Sequence, residues 1–139
     1  MSRSLEANRR RNKIDRRNRL RKLKPQSIVL GRMLGQHFPA LFTPMTAVPL
    51  AIGIHDEIKA AVPAVPVDVL TRFLRFWTSR PVYLQALAKP DAERLHLNGT
   101  PQQLVDADAR QHARDRLATR RRKRAMKLDA VGAATEVPA

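Results

Sequence analysis

The sequence predicts a mostly helical α+β domain with a basic extension at each end, and three observations carry that prediction. Apolar residues recur at i, i+3 and i+4 in several short stretches punctuated by proline, the signature of amphipathic helices. A single Asn98-Gly99 pair follows an alternating segment, which is the strongest short-range signal for a β-hairpin. Positive charge is concentrated near the two ends of the chain. The expected architecture is about five helices with a small β-hairpin or sheet, built on one domain.

The charge is distributed unevenly. The 139 residues carry 27 Lys+Arg against 12 Asp+Glu, a net +15. Residues 1–24 hold 11 basic and 2 acidic residues, residues 25–109 hold 7 of each, and residues 110–128 hold 9 basic and 1 acidic. Residues 129–139 have 2 acidic residues and no basic ones. A neutral core therefore sits between two basic arms. This divides the chain into an arm over 1–25, disordered or helical on binding, a domain over 26–118, and a basic helical extension with a disordered tail over 119–139. Clusters of one sign, Arg9-Arg10-Arg11 and Arg120-Arg121-Arg122-Lys123-Arg124, repel themselves unless a polyanion neutralises them. A solvated surface that keeps the protein soluble is the plainer reading of any charge run. Two clusters flanking a neutral core favour nucleic acid.

Several classes are disfavoured. With no cysteine there is no disulfide framework, thiolate zinc site or cysteine nucleophile. No apolar run approaches the roughly 20 residues of a membrane span, and the N-terminus lacks the apolar segment of a secretory signal. A cytoplasmic location is expected, so the Asn98-Gly99-Thr100 sequon is without meaning.

Taken in order, residues 1–24 contain only Leu5, Ile14, Leu20 and Leu23 as large apolar residues and cannot bury enough to fold alone. Ser27 is the expected N-cap of a helix to about His37, with Ile28, Leu30, Met33 and Leu34 on its apolar face. Phe38-Pro39-Ala40-Leu41-Phe42 is an aromatic loop that a small core must enclose. Pro49-Leu50-Ala51-Ile52-Gly53 reads as a short extended piece handing over to a helix near 52–61, with Asp56 and Glu57 complementing its dipole. After Pro63 and Pro66, Val69, Leu70, Phe73, Leu74 and Trp77 give a third helix over about 67–78. Ser79 and Pro81 restart a short fourth helix carrying Tyr83, Leu84 and Leu87. Arg94–Leu97 and Thr100–Gln102 are the expected hairpin strands around Asn98-Gly99. Val105, Ala109, Ala113 and Leu117, spaced by four, dock the last helix for about three turns. Beyond Arg120 the stripe vanishes, so that helix is expected to leave the core.

Candidate contact residues cluster on the third and fourth helices. Arg72 and Arg75 lie opposite the apolar stripe, and the Thr78-Ser79-Arg80 turn offers hydroxyls and amides at a helix start, where phosphate is readily held. Tyr83, one turn further on, can stack on a base or donate its hydroxyl. Trp77 fits the apolar period and reads as core. The four histidines are scattered, and His55-Asp56-Glu57 lacks the second histidine of a zinc-protease helix. No metal site, cofactor or catalytic constellation is expected.

Together, His37-Phe38-Pro39, Phe42 and Pro49-Leu50-Ala51-Ile52-Gly53-Ile54 resemble the signature of the ProQ/FinO family of bacterial RNA-binding proteins. The run from Arg72 to Leu84 is similar to the family's arginine-bearing helix, aromatic-Thr-Ser turn and Tyr-Leu pair. Arg94-Leu95-His96-Leu97-Asn98-Gly99 resembles its Arg-Val-Asp-Leu-Asp-Gly hairpin. The resemblance spans about residues 27–117 and leaves out the arms. It implies a concave face that holds the 3′ hairpin and single-stranded tail of a structured RNA, with Arg75, Tyr83 and Arg94 in contact. Ala51, Val67 and Thr71 stand where basic residues are frequent in the family, Trp77 stands for a tyrosine and Asn98 for an aspartate.

The expected function is that of a monomeric RNA chaperone without enzymatic activity. It would bind small regulatory or antisense RNA, protect its 3′ end and promote pairing with complementary targets. Expected contacts are Arg72, Arg75, Thr78, Ser79, Arg80, Tyr83 and Arg94 on the domain. Arg9, Arg10 and Arg11 would serve on one arm, and Arg120, Arg121, Arg122, Lys123 and Arg124 on the other. The same charges suit two alternatives, a DNA-binding or nucleoid-type protein and a ribosome-associated structural protein.

Overall fold

Proline placement and apolar period set the order of elements in the computed structural model, which describes residues 2–45 and 47–135. Six helices and two strands follow one another: α1 (Ser2–Lys22), α2 (Lys24–His37), α3 (Ile54–Ala61), α4 (Val67–Ser79), α5 (Pro81–Ala88), β1 (Glu93–Leu95), β2 (Pro101–Leu104) and α6 (Ala107–Thr135). The mostly helical α+β class holds. The expected tail is described as helix as far as Thr135, and residues 136–139 lie outside the described residues.

Residues 2–22, within the arm expected to be disordered or helical on binding, form α1. Its described side chains are exposed, so this helix rests on local backbone bonding and not on a buried face. Pro25 falls in the first turn of α2, where its missing N–H costs nothing. The helix consequently starts before Ser27, which caps nothing: the Ser27 hydroxyl donates to the Lys24 carbonyl at 2.9 Å.

The core forms where α2, α3 and α4 meet the chain between them. Leu34, Leu41, Phe42, Ile58, Leu70 and Leu84 are fully enclosed. Phe42, from the aromatic loop, packs its ring 5.8 Å from Phe73 and edge-on to Trp77 at 5.4 Å. Gly31 lets α4 come close to α2, since a Cβ there would stand 2.8 Å from Cε2 of Phe73. Trp77 is a core residue at 6% exposure, as its period predicts.

Gly53 has φ of 88° and begins α3 in the left-handed region, which explains a glycine between Ile52 and Ile54. The residues before it join the sheet. The Leu95 N–H donates to the Pro49 carbonyl and the Ala51 N–H to the Leu95 carbonyl, both at 2.9 Å, so Leu50 lies parallel to β1. On the other edge β1 pairs antiparallel with β2, Glu93 opposite Leu104 and Arg94 opposite Gln103, with a register break before Leu95.

The hairpin turn is displaced from the expected one. The Gly99 N–H donates to the His96 carbonyl at 2.8 Å, which puts Leu97 and Asn98, not Asn98 and Gly99, at its centre. Leu97 is in the core at 9% exposure, and burying it pulls the turn back by one residue. Gly99 still supplies a positive φ of 87°. Asn98 Oδ1 accepts the N–H and hydroxyl of Thr100 at 3.1 and 2.7 Å, closing the loop from within.

Val105 and Ala113 are buried, and Ala109 and Leu117 half-buried, so α6 docks on α5 with the expected spacing. From Ala118 to Gly132 its residues are exposed, and the helix leaves the core as predicted.

Candidate nucleic-acid interface

The α4–α5 corner is made by one extended residue, Arg80, between two helices, with Pro81 opening the second. Short spacing forces the hydroxyls inward. Thr78 donates to the Leu74 carbonyl at 2.7 Å and Ser79 to the Phe76 carbonyl at 2.9 Å. In this conformation both hydroxyl protons point back to α4 carbonyls. The positive charge of the corner comes from Arg80. Its guanidinium carbon lies 3.5 Å from the centre of the Trp77 ring, and its Nε donates to the Trp77 carbonyl at 3.2 Å. Burial pulls the Arg80 pKa down from the ordinary arginine value. A cation held over an indole in a partly dry site is stabilised by the ring quadrupole.

Arg120 joins the corner to α6 by donating from Nη2 to the Ser79 carbonyl at 2.6 Å. Beside this bond is an open cleft of about 410 Å³, where Arg120, Arg121, Lys123, Arg124 and Lys127 face Pro81 and Gln85 of α5. No carboxylate lines it. Five cations on two turns of one helix give strong local potential for a polyanion. Arg121, Arg122, Lys123 and Arg124 are exposed, as are Arg9, Arg10 and Arg11 on α1.

A second group forms at the sheet edge. Tyr83 is 3% exposed, and its hydroxyl accepts the Leu50 N–H at 3.1 Å. Arg94 donates from Nη1 to the Leu50 carbonyl at 3.0 Å, and its charge acts on the Tyr83 hydroxyl. Burial raises the Tyr83 pKa; the Leu50 N–H and the Arg94 charge partly offset this. The Tyr83 ring is enclosed and has no free face on which a base can stack. Arg94 is half-buried, with one of its donors taken by the Leu50 carbonyl.

Arg75 is exposed on α4, whereas Arg72 is half-buried, with Nε enclosed and lacking a hydrogen-bond partner. Ala51, where the family favours lysine, is only 3% exposed, and the accessible residue beside it is Ile52. The structure thus brings Tyr83 to Arg94 and Arg120 to the Thr78–Arg80 turn.

Sequence reasoning missed the residues that fix this surface. Gln102 clasps the Ile52 backbone, accepting its N–H at 2.8 Å and donating to its carbonyl at 3.0 Å. The Glu57 carboxylate accepts His96 Nδ1 at 3.2 Å and the Leu97 N–H at 3.2 Å, tying α3 to the hairpin. These partners lie 39 to 50 residues apart, and no local pattern marks them. The Trp77–Arg80 stack was missed too, although its spacing of three at a helix end is the local signal that could have found it.

Among the described residues no group of three or more histidine or acidic side chains can hold a metal ion. No described helix is long and apolar enough to cross a membrane.

The model of the ProQ/FINO family matches residues 24–130, which is most of the chain. The chain belongs to the ProQ/FinO family. Among solved structures it resembles a FinO-like RNA chaperone from Neisseria meningitidis at 27% identity and a TM-score of 0.58, over 65% of this chain and 92% of that one. A ProQ homologue from Legionella pneumophila has the same fold at 23% identity and a TM-score of 0.57, over 68% of this chain and 82% of that one. No curated protein matches. The match from 24 to 130 takes in the cationic stretch of α6 and leaves α1 outside the ProQ/FinO unit.

Proposed function

We propose that this ProQ/FinO protein is a non-enzymatic RNA chaperone. It binds structured RNA at a 3′ hairpin with a single-stranded tail and promotes pairing between small or antisense RNAs and their targets. The family match supports RNA as the partner, and the 27% identical neighbour is itself described as an RNA chaperone. The observation that carries the reading is the Arg120–Ser79 bond, which seats a strongly cationic helix against the α4–α5 corner.

In this reading Arg75 and the cations of α6 meet the phosphates of the stem, while Arg80 supplies a fixed charge at the corner. Arg72 and Arg94 contribute from half-buried positions. Tyr83 acts through Arg94 and Leu50, by holding the sheet edge in place. The cationic α1 and α6 neutralise both strands of a pairing complex, which lowers the repulsion that slows annealing. No step requires ATP or a metal.

The test is a competition in which the labelled ligand is an RNA hairpin with a free 3′ tail. Unlabelled hairpin displaces it at much lower concentration than duplex DNA of equal charge. Equal displacement by both would overturn the RNA reading in favour of a basic DNA-binding protein.

A further inference from the structure

A slot of about 220 Å³ opens between α2 and α4, with Phe42 and Pro44 on its lining. Its walls are Ile28 and Gly31 on α2 and Phe73, Phe76 and Trp77 on α4, with Arg32 also on its lining. At Gly31 the Phe73 ring comes so close that a Cβ would stand 2.8 Å from Cε2. The slot's volume falls below the roughly 300–1,000 Å³ of pockets for drug-sized ligands, and suits one ring system.

Three features define what it accepts. Phe76 is 61% exposed although it sits between the core residues Phe73 and Trp77, so one face of the slot presents an uncovered aromatic ring. The indole Nε1 of Trp77 is buried without a hydrogen-bond partner, in a side chain only 6% exposed. Leaving a buried donor unpaired is unfavourable, and an acceptor on a ligand relieves it. Finally, the charged groups at hand are Arg32, exposed on the lining, and Arg80, stacked on Trp77 with Nη2 unpaired. No carboxylate lines the slot. Aromatic walls, a lone donor and neighbouring guanidinium groups complement an aromatic heterocycle bearing ring acceptors and joined to phosphate.

We infer that this slot takes one unpaired nucleobase of single-stranded RNA, laid against Phe76 with an acceptor toward the Trp77 indole. This rests on the RNA reading above and adds a site on the α2–α4 face that reads single strand. An RNA held there and along α6 has one segment unstacked while another is duplex, a state that pairing requires.

Trp77 is the only tryptophan, so its emission reports this slot directly. The full chain is titrated with hexaadenylate, and separately with a blunt RNA duplex, at salt high enough to suppress binding by the arms. Hexaadenylate quenches or shifts Trp77 emission saturably and the duplex does not. Phe76→Ala weakens hexamer binding by at least about 5-fold, in line with alanine replacement at stacking sites. Phe76→Tyr restores it, and Leu104→Ala, another exposed apolar residue, changes nothing. Thermal melts are unchanged, since Phe76 is largely outside the core. Hexamer binding seen by anisotropy with silent Trp77 emission, or equal affinity in Phe76→Ala, overturns the slot. If the hairpin of the previous section binds in the same samples, the RNA reading survives that failure. If neither RNA binds, both fall.

Discussion

The Tyr83 hydroxyl accepts the backbone N–H of Leu50 across 33 residues of chain, at 3.1 Å. Leu50 is the residue that lies parallel to β1, and both its neighbours' backbone bonds go to Leu95. One phenol oxygen therefore holds α5 to the sheet edge and aligns Arg94 beside it.

Tyr83→Phe keeps the ring and removes the acceptor, leaving the Leu50 N–H buried and unpaired. The expected loss is about 1–3 kcal/mol, read as a lower urea midpoint with an unchanged slope. RNA affinity falls less than in Arg94→Ala, because the phenol acts through the fold.

Alkaline pH tests the same bond independently. The folded-state pKa of Tyr83 is raised by burial, so folding favours the protonated phenol. Its contribution is fully present below the unfolded value of about 10 and is lost as pH rises through the folded value. As the only tyrosine, Tyr83 can be followed by phenolate absorbance. The native titration lies above that of urea-unfolded protein, and a coincident pair of curves would contradict the buried geometry.

The arms are expected to act through counterion release. Replacing Arg9, Arg10 and Arg11 by glutamine, or Arg121, Arg122 and Arg124, flattens the log K versus log [salt] slope for hairpin RNA. Each lost phosphate contact is worth about 0.7–0.9 in that slope. The melting temperature stays put, because these side chains are exposed. A slope equal to wild type in both triple variants would remove the arms from the interface.

Gly53→Ala isolates the backbone cost at the start of α3. Nothing lies within 4 Å of a Cβ placed there, while φ is 88°. The methyl meets no neighbour, and the roughly 1–2 kcal/mol expected loss is the price of a left-handed alanine. Denaturant melts of wild type and variant measure it, and an unchanged midpoint would mean that the α3 entry relaxes.

The sequence by itself determined the helical period of α4, the split of charge between core and arms, the docking of α6 and the presence of a hairpin near Asn98-Gly99. These are local patterns, written within one or two turns of chain, and they were also enough to resemble the family that the comparisons confirm. Only the tertiary structure decided which polar groups remain available. Thr78 and Ser79 turned their protons into α4, Tyr83 was enclosed, Leu97 displaced the hairpin turn, and Phe76 was left bare beside a buried indole. The physical reason is that a side chain's partner is chosen by what the fold brings within about 3 Å. For Tyr83, Glu57 and Gln102 that partner lies 33 to 50 residues away, beyond the reach of any periodicity.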